Sequence, residues 1–275
     1  MTVEESYQWC EKVARQQAKN FYHSFLLLPA PQRHAMCAVY AFMRYCDDLS
    51  DDEDIPDRAT AIARWQGDLE AALNGQKPDH AVWPAFADTV VRYKIPHQYF
   101  FDMVKGVSSD LEPRALQSFE ELYDYCYHVA SVVGLVIIHI FGFDSPEAPL
   151  LAEKCGIAFQ LTNIIRDVKE DREKHRVYLP AEDFQRFGVS PDTFAPGERF
   201  RDMLEFEAKR ARDYYNQAMP LIAMVHARSR PSMRALIGIY STLLQRIVAS
   251  NYDVLNQRVR LSTGHKLWIL LRSWV

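Results

Sequence analysis

The sequence lacks the short motifs that mark several common enzyme classes. It contains neither GxGxxG nor GxSxG, so it shows no dinucleotide-binding fingerprint and no nucleophile elbow. No glutamate is followed three residues later by a histidine, which argues against a helical di-iron centre built on Glu-x-x-His pairs. The five cysteines form no CxxC pair, and we interpret them as reduced core thiols.

A concentration of basic charge is also lacking. The formal net charge is -4, from 32 basic and 36 acidic residues, and the lysines and arginines are scattered, so we predict no nucleic-acid partner. No basic and apolar leader opens the chain. The longest apolar run, from Val129 to Phe143, is shorter than a membrane span and contains His139. We therefore expect a cytoplasmic protein in which this run forms a buried helix.

Helical periodicity is abundant, whereas strand alternation is nearly absent. Ile62, Trp65, Leu69 and Leu73 repeat at intervals of three and four residues, as one apolar face of a helix does. Proline and glycine clusters divide the chain into roughly eight to ten helices. Because no linker or composition shift separates two halves, we predict a single all-α domain over residues 1–275. The least regular stretch, residues 169–196, is long enough to form a functional flap.

Two acidic segments stand out against this background. Asp47 and Asp51 are four residues apart at the end of a predicted helix, and Asn163, Asp167 and Asp171 repeat at the same interval further on. This spacing places each set on one helical face, with a rise of about 6 Å per step. Acids at a helix C-terminus add to the partial negative charge already there, so we expect a cation to compensate them. The two helices each offer a ridge of oxygen ligands.

Carboxylate and amide oxygens suit a hard cation. One acidic i, i+4 pair is commonly no more than a solvated face, but two sets, the second following the apolar Ile164 and Ile165, are harder to explain in that way. Magnesium typically takes one or two carboxylates and completes its shell with water and substrate phosphates. The residues therefore predict a magnesium and diphosphate site inside a helical bundle.

At this point the chain resembles the head-to-head prenyl synthases, the squalene and phytoene synthase family. The resemblance covers nearly the whole chain, and its most specific element is the NxxxDxxxD pattern followed by YLP. The segments that carry it are KNFYHSFLLLP (19–29), AVYAFMRYCDDLSD (38–51), YCYHVASVVG (125–134), FQLTNIIRDVKED (159–171), RVYLP (176–180) and NYDVLNQRVRLSTGHKLWILL (251–271).

The resemblance implies an isoprenoid-synthase bundle in which two Asp-rich helices face each other across a central cavity. It implies that Asp47, Asp51, Asn163, Asp167 and Asp171 bind Mg²⁺ and that the four aspartates act in catalysis. Tyr127 is carried over as a catalytic residue, although its neighbour His128 competes for the same place in the motif. The implied substrate-binding residues are Lys19, Phe21, Tyr40, Arg44, Gln160, Arg166 and Tyr240.

The implied reaction is the Mg²⁺-dependent condensation of two prenyl diphosphates through an allylic cation to a cyclopropyl diphosphate. The bulky Phe21, Tyr22 and Phe25 favour farnesyl diphosphate, and thus presqualene diphosphate with onward reduction to squalene left open. Phytoene synthesis from geranylgeranyl diphosphate and dehydrosqualene synthesis are the alternatives. NADPH use also stays open, because reducing members of the family lack a Rossmann fingerprint too.

Other classes fit the acidic segments less well. A chain-elongating prenyl transferase would carry a second DDxxD, and a class I terpene cyclase would carry an Asn/Asp, Ser/Thr, Glu triplet. A helical assembly factor descended from a synthase would be expected to have lost the acids. The C-terminal KLWILLRSWV is amphipathic and predicts either a docking helix or peripheral contact with a membrane. Its apolar members are Leu267, Trp268, Leu270, Leu271 and Trp274, next to Lys266 and Arg272.

Overall fold

The computed structural model describes residues 1–18, 21–52, 54–112 and 115–274. Within these ranges the regular structure is helical, and one isolated β-bridge joins Phe143 to Val225. The prediction of an all-α fold is confirmed. The α-helices are α1 Val3–Gln17, α2 Phe21–Phe25, α3 Ala30–Asp51, α4 Arg58–Leu73, α5 Trp83–Tyr93, α6 Gln98–Ser109, α7 Phe119–Cys126, α8 Val132–Phe141, α9 Ala148–Glu173, α10 Ala181–Phe187, α11 Glu198–Ala218, α12 Leu221–Met224, α13 Arg230–Ala249 and α14 Thr263–Arg272.

The structure has more helices than the sequence pattern predicts. The additional ones are short: α2, α10 and α12 have 5, 7 and 4 residues, which is too few for a periodic pattern to be recognised. The stretch predicted as a flap is also more regular than expected. The helix α9 extends to Glu173, and α10 occupies Ala181–Phe187.

Helix α9 lies at the centre of the bundle and packs against α8, α11 and α13. Pro149 occupies its first turn, where the missing N–H breaks no intrahelical hydrogen bond. Its buried side chains include Ile157, Leu161 and Ile165, which belong to the same hydrophobic core as Phe42 of α3. The two long helices that carry the acids, α3 and α9, line opposite sides of a central cavity.

A π-helical turn, Tyr127–Ser131, joins α7 to α8 without a break. The resulting helix, Phe119–Phe141, has 23 residues and is the one helix in the described ranges long and apolar enough to cross a membrane by length and composition. It packs between α6 and α9. Ile138 and Phe141 are fully buried, so the run from Val129 onwards is a core helix, as predicted.

Candidate active site

The central cavity has a volume of about 510 Å³ and lies between α2, α3, α8, α9 and α13. Its apolar body includes Phe21, Phe25, Phe159 and Tyr240. The rings of Phe159 and Tyr240 stack at a centroid distance of 4.3 Å, and the Phe21 ring lies 5.6 Å from Tyr240. An enclosure of this kind excludes water and offers aromatic faces to an electron-deficient carbon.

One end of the cavity is polar and continues into a second cavity of about 260 Å³. Arg44, Asp47 and Gln160 line both cavities, while Asp51 and Asp110 line the polar one. A single continuous space therefore runs from the apolar body to the acidic ridge of α3. An amphiphilic substrate with a long tail and an anionic head matches this division.

The ridge on α3 lies in the last turns of the helix, and cations from other parts of the chain compensate it. Lys174 Nζ lies 3.2 Å and Arg176 Nη1 3.1 Å from the Asp51 carboxylate. Arg58 Nη1 donates a hydrogen bond of 3.0 Å to the carbonyl of Ser50 near the helix C-terminus. The expected cations are therefore present and approach the helix end from outside α3.

The ridge on α9 is compensated in a similar way. The Asp167 carboxylate accepts a hydrogen bond of 2.8 Å from Nε of the adjacent Arg166. Arg258 reaches the same carboxylate from the segment before α14, with Nη2 at 2.9 Å from Oδ1, and its Nε lies 3.3 Å from Glu170 Oε1. Asp167 is thus held between two guanidinium groups.

Each ridge also contains an acid that forms no ion pair among the described residues. Burial raises the pKa of Asp47 to about 7. The nearby Arg44 guanidinium offsets part of this increase, and the neighbouring carboxylates, Asp51 foremost, add to it. Burial and the Asp167 charge raise the pKa of Asp171 to about 7 as well. Burial also disfavours the Asp51 charge, but Lys174 and Arg176 outweigh it and hold the pKa of Asp51 below its usual value.

The donor atoms fit a hard cation. Asn163 Oδ1 and Glu170 Oε2 are buried without a hydrogen-bond partner, and the partly compensated carboxylates lie near them along α9. In the described ranges no three histidine, cysteine or acidic side chains are close enough to hold a metal ion by themselves. Such a shell would therefore be completed by substrate diphosphate oxygens, which is the usual arrangement for Mg²⁺.

Six of the seven predicted substrate-binding residues lie together around the cavity. The structure places Phe21, Tyr40, Arg44, Gln160, Arg166 and Tyr240 in the wall of the central cavity. Arg44 pairs with Asp48, and its Nε is buried without a partner. Lys19 lies outside the described residues. The roles assigned to all seven stay predictions.

The structure does not place Tyr127 at the cavity. Tyr125, in the last turn of α7, and the buried His128, in the π-helical turn, line the polar cavity instead. The Tyr127 ring instead packs edge-on against the His128 ring at 5.3 Å. The catalytic role predicted for Tyr127 thus has no geometric support.

Two glycines hold this turn closely between neighbouring helices. A Cβ atom on Gly106 of α6 would lie 2.9 Å from the His128 carbonyl, and one on Gly156 of α9 would lie 2.4 Å from the Ser131 Cα. Contacts that short do not occur in real structures, so both positions require glycine for the helices to approach as they do.

The sequence pattern missed a group of residues centred on Asp110. The Asp110 carboxylate accepts hydrogen bonds from Tyr178 at 2.9 Å and Tyr125 at 3.2 Å, and the two tyrosine rings stack at 4.7 Å. Arg176 Nη2 donates to the Asp110 carbonyl at 3.2 Å. The group therefore holds Arg176 in its position opposite Asp51. Arg176 and Tyr178 lie in the RVYLP motif, which was a usable signal, whereas Asp110 belongs to no recognisable pattern.

Comparisons with known proteins agree with this arrangement. The family model for squalene/phytoene synthase matches residues 14–265. The chain is 36% identical to the 15-cis-phytoene synthase of Synechocystis sp., over all of this chain and 86% of that protein. It is 34% identical to the 15-cis-phytoene synthase of Synechococcus elongatus, over 97% of this chain and 91% of that protein.

Solved structures show the same fold. The chain superimposes on a dehydrosqualene synthase, crystallised with a ligand, with a TM-score of 0.91 and 28% identity over 98% of this chain and 96% of that one. A squalene synthase from Alicyclobacillus acidocaldarius shares the fold at a TM-score of 0.85, with 24% identity over 91% of this chain and 96% of that one. With the facing acidic ridges and the apolar cavity, these matches show that the chain is a prenyltransferase and belongs to the squalene/phytoene synthase family.

Proposed function

We propose that the enzyme condenses two molecules of geranylgeranyl diphosphate head to head and releases phytoene without a reductant. The observation that carries this proposal is that both relatives described above are phytoene synthases, aligned over almost all of this chain. The farnesyl-level reaction favoured by the sequence pattern has less support. A C15 substrate is the second candidate, because the chain is also similar in structure to a dehydrosqualene synthase.

The structure removes part of the reason for expecting a C15 substrate. Of the three bulky residues, Phe21 and Phe25 line the cavity, but the Tyr22 side chain is directed towards α1. Its hydroxyl donates to Glu11 at 3.4 Å and accepts from Arg15 Nε at 3.3 Å. Small residues of α8 and α9, including Gly134 and Ala152, form another part of the lining.

The acidic ridges would hold the metal, with Asp47 and Asp51 on one side and Asn163, Asp167 and Asp171 on the other. When bound, Mg²⁺ would neutralise the leaving diphosphate. The cations now paired with the acids have a second role in this proposal. With the carboxylates engaged in metal binding, the guanidinium groups would be available to bind diphosphate oxygens, for which their planar donor pairs are suited.

The cavity wall would shield the cations that form during the reaction from water. Departure of diphosphate from C1 of one substrate leaves an allylic cation, which the double bond of the second substrate attacks. Loss of a proton then closes a cyclopropane. A second departure of diphosphate, rearrangement and loss of another proton give the C40 hydrocarbon with a conjugated triene at its centre. The stacked Phe159 and Tyr240 rings face this region and exclude water from both cations.

Incubation of the purified protein with Mg²⁺ and either geranylgeranyl or farnesyl diphosphate tests the proposal. Each substrate is supplied with and without NADPH, and products are identified by mass spectrometry after phosphatase treatment. Phytoene from the C20 substrate, in equal amounts with and without NADPH, is expected. Presqualene alcohol, dehydrosqualene or squalene from the C15 substrate, with no product from the C20 substrate, would overturn the chain-length assignment.

A further inference from the structure

The helix α14 presents an apolar face that nothing in the described structure covers. At about 100° per residue, its exposed apolar side chains fall within roughly one third of the helix circumference. The sequence pattern placed Leu270 among them, but the structure turns Leu270 inward together with Ile269. The three tryptophans elsewhere in the chain are buried or half-buried. The exposed face consists of Leu267, Trp268, Leu271 and Trp274, with exposed fractions of 50%, 52%, 73% and 62%.

The opposite side of α14 is fixed to the wall of the central cavity. A Cβ on Gly238 of α13 would lie 3.0 Å from Ile269 Cγ2, so the two helices are in close contact. Arg234 Nη1 donates to the Ser273 carbonyl at 3.4 Å. Helix α13 lines the cavity through other residues, and α14 also contacts α2, which supplies Phe21 and Phe25 to the same cavity. The exposed face therefore lies directly outside the part of the wall that encloses the apolar tails.

The C-terminal part of the chain, which includes α14, carries mainly basic charge. Residues 214–275 contain eight lysines and arginines but a single acid, Asp253, in a chain whose net charge is -4. The Arg272 guanidinium carbon lies 4.5 Å from the centre of the Trp268 ring, at the border of the exposed face. On the other flank, Arg246 Nη2 lies 3.0 Å from His265 Nδ1. Tryptophan and leucine bordered by cations are typical of a helix that lies in the interface of an anionic membrane.

We propose that the exposed face of α14 is a docking surface for an anionic lipid bilayer. The helix lies parallel to the membrane plane, with its tryptophans at the level of the lipid headgroups. The proposed function supplies a reason for such a surface, since a C40 hydrocarbon has negligible solubility in water and leaves a cavity whose outer wall is α14. Binding itself depends only on the exposed face and its cations.

A second copy of the chain is a less suitable occupant. A stable dimer buries about 800 Å² per partner, which three side chains on a ten-residue helix and Trp274 just after it do not provide. Two copies would also bring basic regions together, which disfavours association. The proposal therefore commits to lipid.

Flotation of the purified full chain with vesicles tests the proposal without any turnover. One set of vesicles contains phosphatidylcholine alone and the other includes phosphatidylglycerol. The protein should float with the anionic vesicles and lose this binding in high salt. The triple variant Trp268→Ser, Leu271→Ser, Trp274→Ser should bind at least about tenfold more weakly, since it removes three apolar side chains that would leave water on binding. The control Val91→Ser alters a residue of 77% exposure on α5 and should bind normally.

Three outcomes would overturn the docking surface. They are failure of the wild-type protein to float, equal binding by the triple variant, and a concentration-dependent dimer that the triple variant abolishes while neither protein binds vesicles. Tryptophan fluorescence adds a second readout, because a blue shift on adding anionic vesicles should be absent from the triple variant. The product assay in detergent is independent of all three outcomes, so failure of docking and failure of the proposed function are distinguishable.

Discussion

Two regions of the molecule bury several charged groups, and they do so in different ways. In a cluster of Asp183, Glu207 and Arg210, Arg210 Nη1 lies 3.0 Å from Asp183 and 2.7 Å from Glu207. Its guanidinium carbon also lies 4.0 Å from the centre of the Phe119 ring. None of the three lines the central cavity or its polar extension. At the acidic ridges, by contrast, Asp47 and Asp171 form no ion pair in the described structure, and Asp47 lines both the central cavity and its polar extension.

This comparison shows that burial of charge does not by itself indicate a binding site. In the cluster both carboxylates face one guanidinium, and burial raises the pKa of Glu207 to about 8. At neutral pH one negative charge therefore faces one positive charge, and the region can serve stability alone. At the ridges each helix pairs one acid and leaves another uncompensated. Carboxylates in excess of their cations beside a cavity are suited to binding a cation from solution. The difference can be tested by disrupting each region and measuring what is lost.

The largest effect is expected from Asp167→Asn. The substitution keeps the shape of the side chain but removes a charge from the proposed metal ligands, so turnover should fall roughly a thousandfold, or about 4 kcal/mol in barrier height. Circular dichroism should show an unchanged fold. Asp202→Asn is the matched control, because it removes an acid that is paired with Arg201 at 3.1 Å on the outside of α11. Near-normal turnover by Asp167→Asn would remove this residue from the metal site.

The next largest effect should come from the buried cluster. Arg210→Met leaves Asp183 and Glu207 buried without their cation, which should lower the free energy of unfolding by about 3 to 5 kcal/mol. Urea denaturation measures this loss. Turnover per folded molecule should stay unchanged at low temperature. A variant that is stable but inactive would mean that the cluster takes part in the reaction.

The cluster should also give the protein a pH-dependent stability. Burial and the neighbouring Asp183 raise the pKa of Glu207 to about 8, so the folded state keeps a proton that the unfolded chain releases above its ordinary pKa. Stability from this group is therefore lost as the pH rises from about 4.5 to 8, by about 1 kcal/mol per pH unit or less. Glu207→Gln removes the titration and should flatten the profile obtained by denaturation at several pH values. An equal slope in the variant would assign the pH dependence to other groups.

The smallest effect is expected from Arg44→Lys at the polar end of the cavity. Lysine keeps the charge but loses the planar pair of donors, so the Michaelis constant should rise about tenfold with little change in stability. Arg201→Lys, on the outer surface, is the control. An unchanged Michaelis constant would indicate that Arg44 serves its ion pair with Asp48 and does not contact diphosphate.

Spacing along one helix was sufficient to predict the acidic ridges. An i, i+4 repeat fixes which side chains share a face, so the sequence predicts that Asp47 lies with Asp51 and Asp167 with Asp171. The cations opposite them belong to other segments, and only tertiary packing brings Lys174, a residue 123 positions away, to Asp51. The spacing also implies a need for cations without identifying them.

Two other details depend on geometry that periodicity does not report. The tyrosine that the motif indicates, Tyr127, begins a π-helical turn and lines neither cavity, whereas Tyr125 and His128 line the polar one. On α14, Leu270 and Leu271 are equivalent in hydropathy, and only the position of α13 decides that the first is buried. The length of the substrate is harder still to predict from the sequence, because the residues that line the cavity come from helices far apart in the chain.

The close fit of Gly106 and Gly156 around the π-helical turn also has a consequence for motion. Backbone held at van der Waals contact on two sides has no room to open, so amide hydrogens of α8 should exchange slowly with solvent. The opposite wall is built differently. The five-residue α2 is attached to α13 through a hydrogen bond of 3.0 Å from Ser232 Oγ to the Ser24 carbonyl. We therefore expect hydrogen exchange to be faster in α2 than in α8, and a long hydrocarbon tail to pass more easily on the α2 side.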